Sequence, residues 1–585
     1  SSSIVDIGIA LLHGIRFDAW AIAYLNSLYI LIYLIPVKKN KPVRVLLIIL
    51  FALTNGCALM YNLIDVDYFA FTKKRSTIAV YSGNNEILPM IPQYIKTYWY
   101  LLLTTFALTG TILYFGFKRK EQVPKVNYLL HAIFSLLLIA LVVIATRGGL
   151  QYRPIQSITA SYYGNAGNAQ LVLNTPFTML QSMTMQQLEE SNFMSEEEAL
   201  KNFNPYKQFN HPGPSKPTNV VIIIIESFSK EFVGYLGGKK GFSPFLDSIM
   251  SEGLVFDNAF ANGKRSIEAL PSVLASIPSL ANEAYMEMPY QDNDLQALPS
   301  ILQKQGYHTS FFHGGKNGTM SFDAFAHRAG IKEYYGEREF PDPSAIDEGG
   351  WGVFDGPFLQ FMAMKLNQTP EPFFSTVFTL SAHHPYHLPD TFAQKHKDIT
   401  DNFHACLLYT DQSLKAFFET AKKQPWFENT LFVFTADHTA VIEDDAYNNG
   451  MGNYRIPIFF YYPNQIAAKH DRVSIVQQVD IMPSVMDLLN LKEPFVSFGN
   501  SVFDTTAARF AVTYNGSYYQ LIKGNYALQF NDDKLLGYYN FVSDPLLKTN
   551  LKGTMPATEK QLLTTLKAII QTYNSKLIHN KLRAQ

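Results

Sequence analysis

Cysteine is nearly absent: among 585 residues there are two, Cys57 and Cys406. The first lies in an apolar run and the second in an expected helix, so neither a disulfide framework nor a cysteine metal cluster is supported. Charge is also scarce, at 17% of residues with a net of -1. Without a basic field, nothing marks nucleic acid as a partner. Internal repeats and low-complexity tracts are missing too, which removes solenoids and flexible arrays from consideration. What the chain has in excess is apolar content, 47% hydrophobic and 14% aromatic, and that points to a membrane portion.

The apolar content is concentrated in the first quarter of the chain, in four runs of spanning length, ~20 residues each. They cover Phe17 to Pro36, Val45 to Ile64, Tyr98 to Phe117 and Tyr128 to Thr146. Two connecting loops are basic, with Lys38, Lys39, Lys41 and Arg44 in one and Lys118, Arg119, Lys120 and Lys125 in the other. Both follow odd-numbered spans, so the positive-inside bias puts them in the cytoplasm and everything after Thr146 outside. Lys73, Lys74 and Arg75 argue the other way, but the two shorter loops carry more charge between them. Ser1 is not preceded by methionine and its tail would face outside, so a preceding span or signal segment is expected to be missing from this sequence.

The organisation expected is a transmembrane domain over 1–148, a connector with juxtamembrane helices over 149–216, and a catalytic domain over 217–585. Thr184 to Glu190 and Glu196 to Phe203 are amphipathic pieces of the connector, and Pro205, Pro212, Pro214 and Pro217 mark a boundary no helix can cross. Beyond it, short apolar strands alternate with helical patterns. Strands are predicted over Val220 to Ile225, Thr309 to His313, Phe373 to Leu380, Leu431 to Thr435 and Ile456 to Tyr461. Helices are predicted over Pro244 to Glu252, Leu298 to Gln305, Asp411 to Lys422 and Gln478 to Leu489. That alternation describes an α/β domain with a largely parallel sheet. Past Phe510 come short hairpins, with Lys523-Gly524-Asn525 as a turn, and then a helix near Glu559 to Tyr573.

The unbroken β-branched run Val220 to Ile225 reads as a strand buried on both faces, and it ends in Glu226. Open α/β sheets bind ligands at the carboxyl ends of their strands, where the loop Ala261 to Ser266 also arrives. A second strand ends in Ala436-Asp437-His438 and a third in Ser381-Ala382-His383-His384-Pro385-Tyr386. Carboxylates and imidazoles on one rim make a ligand set for a divalent cation such as Zn²⁺ or Mn²⁺. Ser266 taken alone reads equally well as a helix-capping serine before Glu268.

The pieces IIIIESFS, SPFLDSIMSEGLVFDNAFANGKRS, GYHTSFFHGG, TLSAHHPY, ENTLFVFTADH, RIPIFFYYP and VQQVDIMPSVMDLL carry a resemblance. With them the chain resembles the alkaline phosphatase and sulfatase superfamily, and within it the membrane-anchored lipoteichoic acid synthases, which look related to phosphoethanolamine transferases. The resemblance implies an α-helical transmembrane bundle followed by an α/β alkaline-phosphatase/sulfatase-like domain, with a largely parallel central sheet and a small antiparallel C-terminal part. It implies Ser266 as nucleophile, sharing one divalent cation with Glu226, Asp437 and His438. Mn²⁺ is the expected ion, with Zn²⁺ and Mg²⁺ as alternatives. The logic is chemical as well, because a cation stabilises the alkoxide of an otherwise poor nucleophile.

His383 matches the family histidine beside the substrate and is expected to transfer a proton to a leaving alkoxide, with His384 as the competing candidate. His313 also matches a substrate-site position. Two departures stand out: the family nucleophile is usually threonine, and the aromatic and arginine that follow FFHGG in the synthases are replaced by Lys316-Asn317-Gly318-Thr319-Met320-Ser321-Phe322-Asp323. Lys316 and Asn317 are the expected phosphate contacts instead. A sulfatase is disfavoured, since formylglycine conversion wants proline or alanine two residues after the site and arginine four after, where Ser266 has Glu268 and Leu270.

The function expected is transfer of a phospholipid headgroup, phosphoglycerol from phosphatidylglycerol, through a phosphoserine to a cell-envelope acceptor. The partners are a membrane phospholipid donor and a glycolipid, glycan or lipid acceptor, at the cytoplasmic membrane with the catalytic domain extracytoplasmic. A phosphoethanolamine transferase or a phosphodiesterase using water is the alternative enzyme, and a silent membrane scaffold is the non-enzymatic one.

Overall fold

The computed structural model describes residues 4–35, 41–72, 75–78, 96, 98–118, 127–163, 169–211, 216, 218–347, 350–531 and 533–584. Lys38, Lys39, Lys73, Lys74, Arg119, Lys120 and Lys125, and Pro212, Pro214 and Pro217, lie outside them. The chain divides into two compact units, 1–187 and 188–585.

The first unit holds four long helices: α1 (Ile4–Leu34), α2 (Lys41–Thr72), α3 (Trp99–Lys118) and α4 (Tyr128–Arg147). Each contains a stretch long and apolar enough to cross a membrane, and α4 leaves its leucines and phenylalanine exposed along its length. Water would oppose such exposure, whereas hydrocarbon does not. α1 starts well before the expected Phe17, because Ala10 extends its inner face into a cluster of Phe17, Trp20, Ala21, Ile155, Ala160, Val172, Leu173 and Phe177. α1 and α2 are joined by a reciprocal amide pair: Asn26 Nδ2 donates to Asn55 Oδ1 at 3.2 Å and Asn55 Nδ2 donates back at 2.8 Å. Between apolar helices, such a pair satisfies groups that lipid cannot. Asn127 caps the start of α4, and Gly148, at φ +73, ends it in a conformation that glycine adopts without strain.

The second unit is built on an eight-stranded sheet. Its strands are β1 (Asn219–Ile225), β2 (Leu254–Phe260), β3 (His308–His313), β4 (Glu333–Tyr335), β5 (Phe373–Phe378), β6 (Thr430–Ala436), β7 (Ile458–Tyr461) and β8 (Lys469–Gln477). The spatial order is β4-β3-β5-β1-β6-β7-β2-β8. All neighbours run parallel except β7, which is antiparallel to both β6 and β2. This is the mostly parallel α/β architecture that the sequence implied. β1 is buried along its whole length between β5 and β6, as its unalternating apolar run requires. A separate antiparallel sheet follows, β9 (Phe510–Tyr514), β10 (Tyr519–Lys523), β11 (Tyr526–Asn531) and β12 (Lys534–Asn540), with Gly524 at φ +60 in the turn between β10 and β11. The chain then closes in the helix Pro556–Ile578.

Two expectations change. Residues 184–190 form no helix, because backbone and side chains of the second unit hold part of them extended: Leu188 N donates to Tyr290 OH at 3.0 Å and Glu189 O accepts from Asn574 at 2.9 Å. The helix predicted from Asp411 begins at Asn402, capped by Asp401, so Asp411 lies in its middle.

Register places the site. Ile225 pairs with Ala436, Ile224 with Phe378, and Phe378 with His313. Glu226 and Asp437 therefore leave adjacent strands side by side, and His313, with β5 between, ends at the same carboxyl rim of the sheet.

Candidate active site

Glu226 and Asp437 leave adjacent strand ends and are both almost wholly buried. Asp437 Oδ1 accepts the backbone N–H groups of Ser227 and His438, each at 2.7 Å. Ser227 is held at φ +59, an unfavourable value for a residue with a Cβ, and its hydroxyl donates to Glu226 Oε1 at 2.7 Å. Glu226 N in turn donates to Thr379 Oγ1 at 2.9 Å. Burial, and then the Asp437 carboxylate beside it, push the Glu226 carboxyl well above the usual carboxylate range, while the hydroxyls of Ser227 and Ser266 oppose the shift.

His438 supplies the third group. Its Nδ1 donates to Thr439 O at 2.9 Å, so Nε2 keeps its lone pair. That nitrogen lies 3.1 Å from Asp437 Oδ2 and 3.9 Å from Glu226 Oε1. Asp437 Oδ2 is buried and has no hydrogen-bond partner. Two lone pairs facing one another beside a second carboxylate repel; a cation among them turns each repulsion into an attraction. The ligand atoms of Glu226, Asp437 and His438 all lie within 4.8 Å of one another. The donor set, two carboxylate oxygens and one imidazole nitrogen, fits a divalent metal.

Ser266 begins helix α5 (Ser266–Ala275) and is 5% exposed. Its hydroxyl lies 3.3 Å from Glu226 Oε2 and 3.3 Å from His438 Nε2. The loop before it is held from both sides. Glu268 Oε2 accepts from the backbone N–H of Lys264 at 2.6 Å and of Arg265 at 3.0 Å, and Oε1 meets the Arg265 guanidinium. Gly263 is required by this arrangement, since a Cβ there would come 2.5 Å from Glu268 Cβ. Lys264 Nζ donates to Thr439 Oγ1 at 3.1 Å and Asn453 O at 2.8 Å, tying the Ser266 loop to the His438 loop. Burial lowers that amine to about 8.

A buried amide network, absent from the sequence reading, joins the same two loops. Gln478 accepts from Asn262 N and donates to Ala436 O and Asp437 O, each at 2.8 Å. Asn262 in turn bonds Gln477 Oε1 at 2.7 Å and accepts from Val479 N at 3.0 Å. The only signal in the sequence was the pair of glutamines opening a helical pattern in VQQVDIMP.

His313 is buried at the end of β3, its Nδ1 on Phe378 O at 3.2 Å and its Nε2 without a hydrogen-bond partner. Desolvation lowers it to about 4, so it is neutral. His383 is half-buried, and burial again lowers its pKa, with Asp437 acting against the shift. His384 is exposed beside it. Lys316 is exposed, while Asn317 donates to Glu339 Oε2 at 3.0 Å and accepts from Arg338 N at 3.2 Å within its own neighbourhood.

Residues 218–491 match the sulfatase family. Among curated relatives, the lipoteichoic acid synthase-like YvgJ of Bacillus subtilis is 24% identical over 332 residues, 52% of this chain and 53% of that protein. The lipoteichoic acid synthase of Staphylococcus aureus is 26% identical over 351 residues, 55% of this chain and 54% of the other. The chain thus spans about half the length of the curated relatives it matches. Among solved structures, an alkaline phosphatase superfamily protein from Vibrio parahaemolyticus aligns with TM-score 0.59 at 22% identity, over 68% of this chain and 99% of its own. The lipoteichoic acid synthase LtaP from Listeria monocytogenes aligns with TM-score 0.55 at 19% identity, over 66% and 99%. These two establish the alkaline phosphatase fold of the second unit.

Proposed function

We propose that this sulfatase-family domain is a phosphotransferase that moves a phospholipid headgroup, phosphoglycerol from phosphatidylglycerol, to a hydroxyl of a cell-envelope acceptor. The observation that carries the reading is the convergence of the Ser266 hydroxyl with Glu226, Asp437 and His438 at the start of a helix. The names of the curated relatives support the substrate class. The four long apolar helices support a donor that keeps its tails in a bilayer.

Glu226, Asp437 and His438 would hold a divalent cation, Mn²⁺ in this reading. Such an ion supplies Lewis acidity that stabilises the serine alkoxide and neutralises phosphoryl charge. The chain's own residues do the rest. Ser266 Oγ forms a bond to phosphorus as its proton passes to the neutral His383 imidazole, the bond from phosphorus to the glycerol oxygen of diacylglycerol breaks, and that oxygen takes the proton from His383. An acceptor hydroxyl then attacks the phosphoserine diester, its proton passes to His383, and the bond from phosphorus to Ser266 breaks. His383 hands that proton to the departing Ser266 oxygen and ends each turnover neutral. His313, Lys316, Asn317 and His384 are assigned to the headgroup side. A cavity of about 410 Å³ lined by Lys264, Arg265, Asn282, Asn453, Tyr514 and Tyr518 suits a hydroxyl-rich acceptor such as a glycan or glycolipid.

Replacement of the family's aromatic and arginine by Lys316 and Asn317 favours a second reading, phosphoethanolamine transfer. Incubation with phosphatidylglycerol or phosphatidylethanolamine, followed by mass analysis of the peptide containing Ser266, decides between them. Phosphoglycerol on Ser266 supports the first reading, phosphoethanolamine the second, and an unmodified peptide during turnover removes the covalent route.

A further inference from the structure

One backbone oxygen beside the site takes two side-chain donors. His384 O accepts from His383 Nδ1 at 2.7 Å and from the indole N–H of Trp351, also at 2.7 Å. The Trp351 ring packs edge-on against the His383 imidazole, with centroids 4.5 Å and planes 63° apart. A carbonyl can only accept, so Nδ1 of His383 carries a hydrogen and Nε2 of the neutral ring keeps its lone pair. The segment carrying His383 follows β5, and Thr379, the residue after that strand, accepts from Glu226 N at 2.9 Å, so His383 leaves the same carboxyl rim as Glu226.

Trp351 is delivered by a turn that only glycine allows. Gly352 has φ +155, and a Cβ there would come 2.2 Å from Gly314 O. Isolated bridges pair Gly315 with Gly352 and Ile346 with Val353, so the turn is anchored to the residues just after His313. One short loop thereby couples the two histidine-bearing strand ends.

We propose that Trp351 is a positioning residue for the transfer reaction: it fixes the His384 carbonyl and the plane of the imidazole, so that His383 stays in the Nδ1–H tautomer and presents Nε2 to the moving proton. The inference rests on the transferase reading of this site. Trp351 need not touch the substrate, since its action passes through His383.

The test uses the full chain in detergent with ¹⁵N-labelled histidine. It compares wild type, Trp351→Phe, which keeps an aromatic face and deletes the donor, and His383→Gln, which assigns the resonances. In wild type the His383 signals should be those of the Nδ1–H tautomer. In Trp351→Phe they should become those of a tautomer mixture, and kcat on phosphatidylglycerol should fall by on the order of 10- to 100-fold with KM changed less than about twofold. If Trp351→Phe fails to fold, benzothienylalanine at 351, which lacks only the N–H, gives the same reading. An unchanged ¹⁵N pattern or an unchanged kcat overturns the proposal. The tautomer is read without turnover, so inactivity of the wild type on every phospholipid would remove the transferase reading while the spectra still judge Trp351.

Discussion

Ser266 Oγ lies 3.3 Å from both Glu226 and His438, and neither of those groups needs the serine to stay in place. Ser266→Ala should therefore lower diacylglycerol release by on the order of 10³-fold or more while metal binding weakens without being lost, because three ligands remain and water can take the fourth position. Ser266→Thr keeps the hydroxyl and should keep measurable activity. A Ser266→Ala enzyme releasing diacylglycerol near the wild-type rate would force direct transfer to the acceptor in place of two displacements. Glu226→Gln and Asp437→Asn each remove a charge from the same cluster and should lose metal and turnover together. Metal content measured on the purified variants checks this, and full occupancy with normal turnover takes that residue out of the ligand set.

Between residues and elements lies the geometry that the sequence showed least. The Ser266 loop and the His438 loop belong to distant parts of the chain, and Gln478 spans them through the carbonyls of Ala436 and Asp437. Gln478→Leu should weaken metal affinity by about 10- to 100-fold, as loss of an outer partner does, measured by titration of the metal-free protein. Gly263→Ala drives a methyl into Glu268 and should destabilise the fold by about 1–3 kcal/mol, the usual cost of overpacking, visible as a lower melting temperature.

Helix packing carries a pH dependence of its own. Asp411 is fully buried in the helix Asn402–Ala421 and accepts the N–H groups of Phe245 and Leu246, each at 2.9 Å. Burial pushes its carboxyl from 3.8 up to about 7, the backbone donors opposing, and Asp480 is pushed to about 7 in the same way. Between about pH 4 and pH 7 the folded state thus holds protons the unfolded chain has lost. Stability from these groups is full below pH 4 and declines as pH rises to 7. The melting temperature of the second unit should fall over that window, and Asp411→Asn should flatten the decline without abolishing it. An identical slope in the variant would show that Asp411 does not titrate there.

For the whole molecule, the reading that puts the second unit outside the cytoplasm predicts that it is labelled from outside. With the second unit outside, Asn210→Cys in a Cys57→Ser background should be labelled by an impermeant thiol reagent in intact cells. Labelling only after the membrane is opened places the unit in the cytoplasm.

The elements most legible from sequence were those whose environment is uniform. Val220 to Ile225 is apolar at every position because both faces are covered, and each of the four long helices contains an apolar stretch of spanning length. β2, β4 and β8 were missed: β2 has its apolar run broken by Asp257 and Asn258, β4 is three residues long, and β8 lies at a sheet edge with Lys469 to Ser474 at least partly open to water, so none has a continuous apolar run to betray it. Residues 184–190 looked helical because amphipathic spacing was satisfied locally, and contacts from Tyr290 and Asn574 overrode it.

By itself the sequence placed Glu226, Asp437 and His438 at strand ends that hydrophobic patterning locates, and the family resemblance singled out Ser266 as the expected nucleophile. Only the tertiary structure decided what those residues can do together. Strand register brings Glu226 beside Asp437, a hydrogen bond to Thr439 O leaves His438 Nε2 with its lone pair, and amide groups of Asn262 and Gln478 hold the two loops at one distance. The reason is physical: hydrophobic periodicity is a local property of the chain, whereas pairings across 40 to more than 200 residues are set by register and buried hydrogen bonds, which leave no periodic trace in the residues that make them.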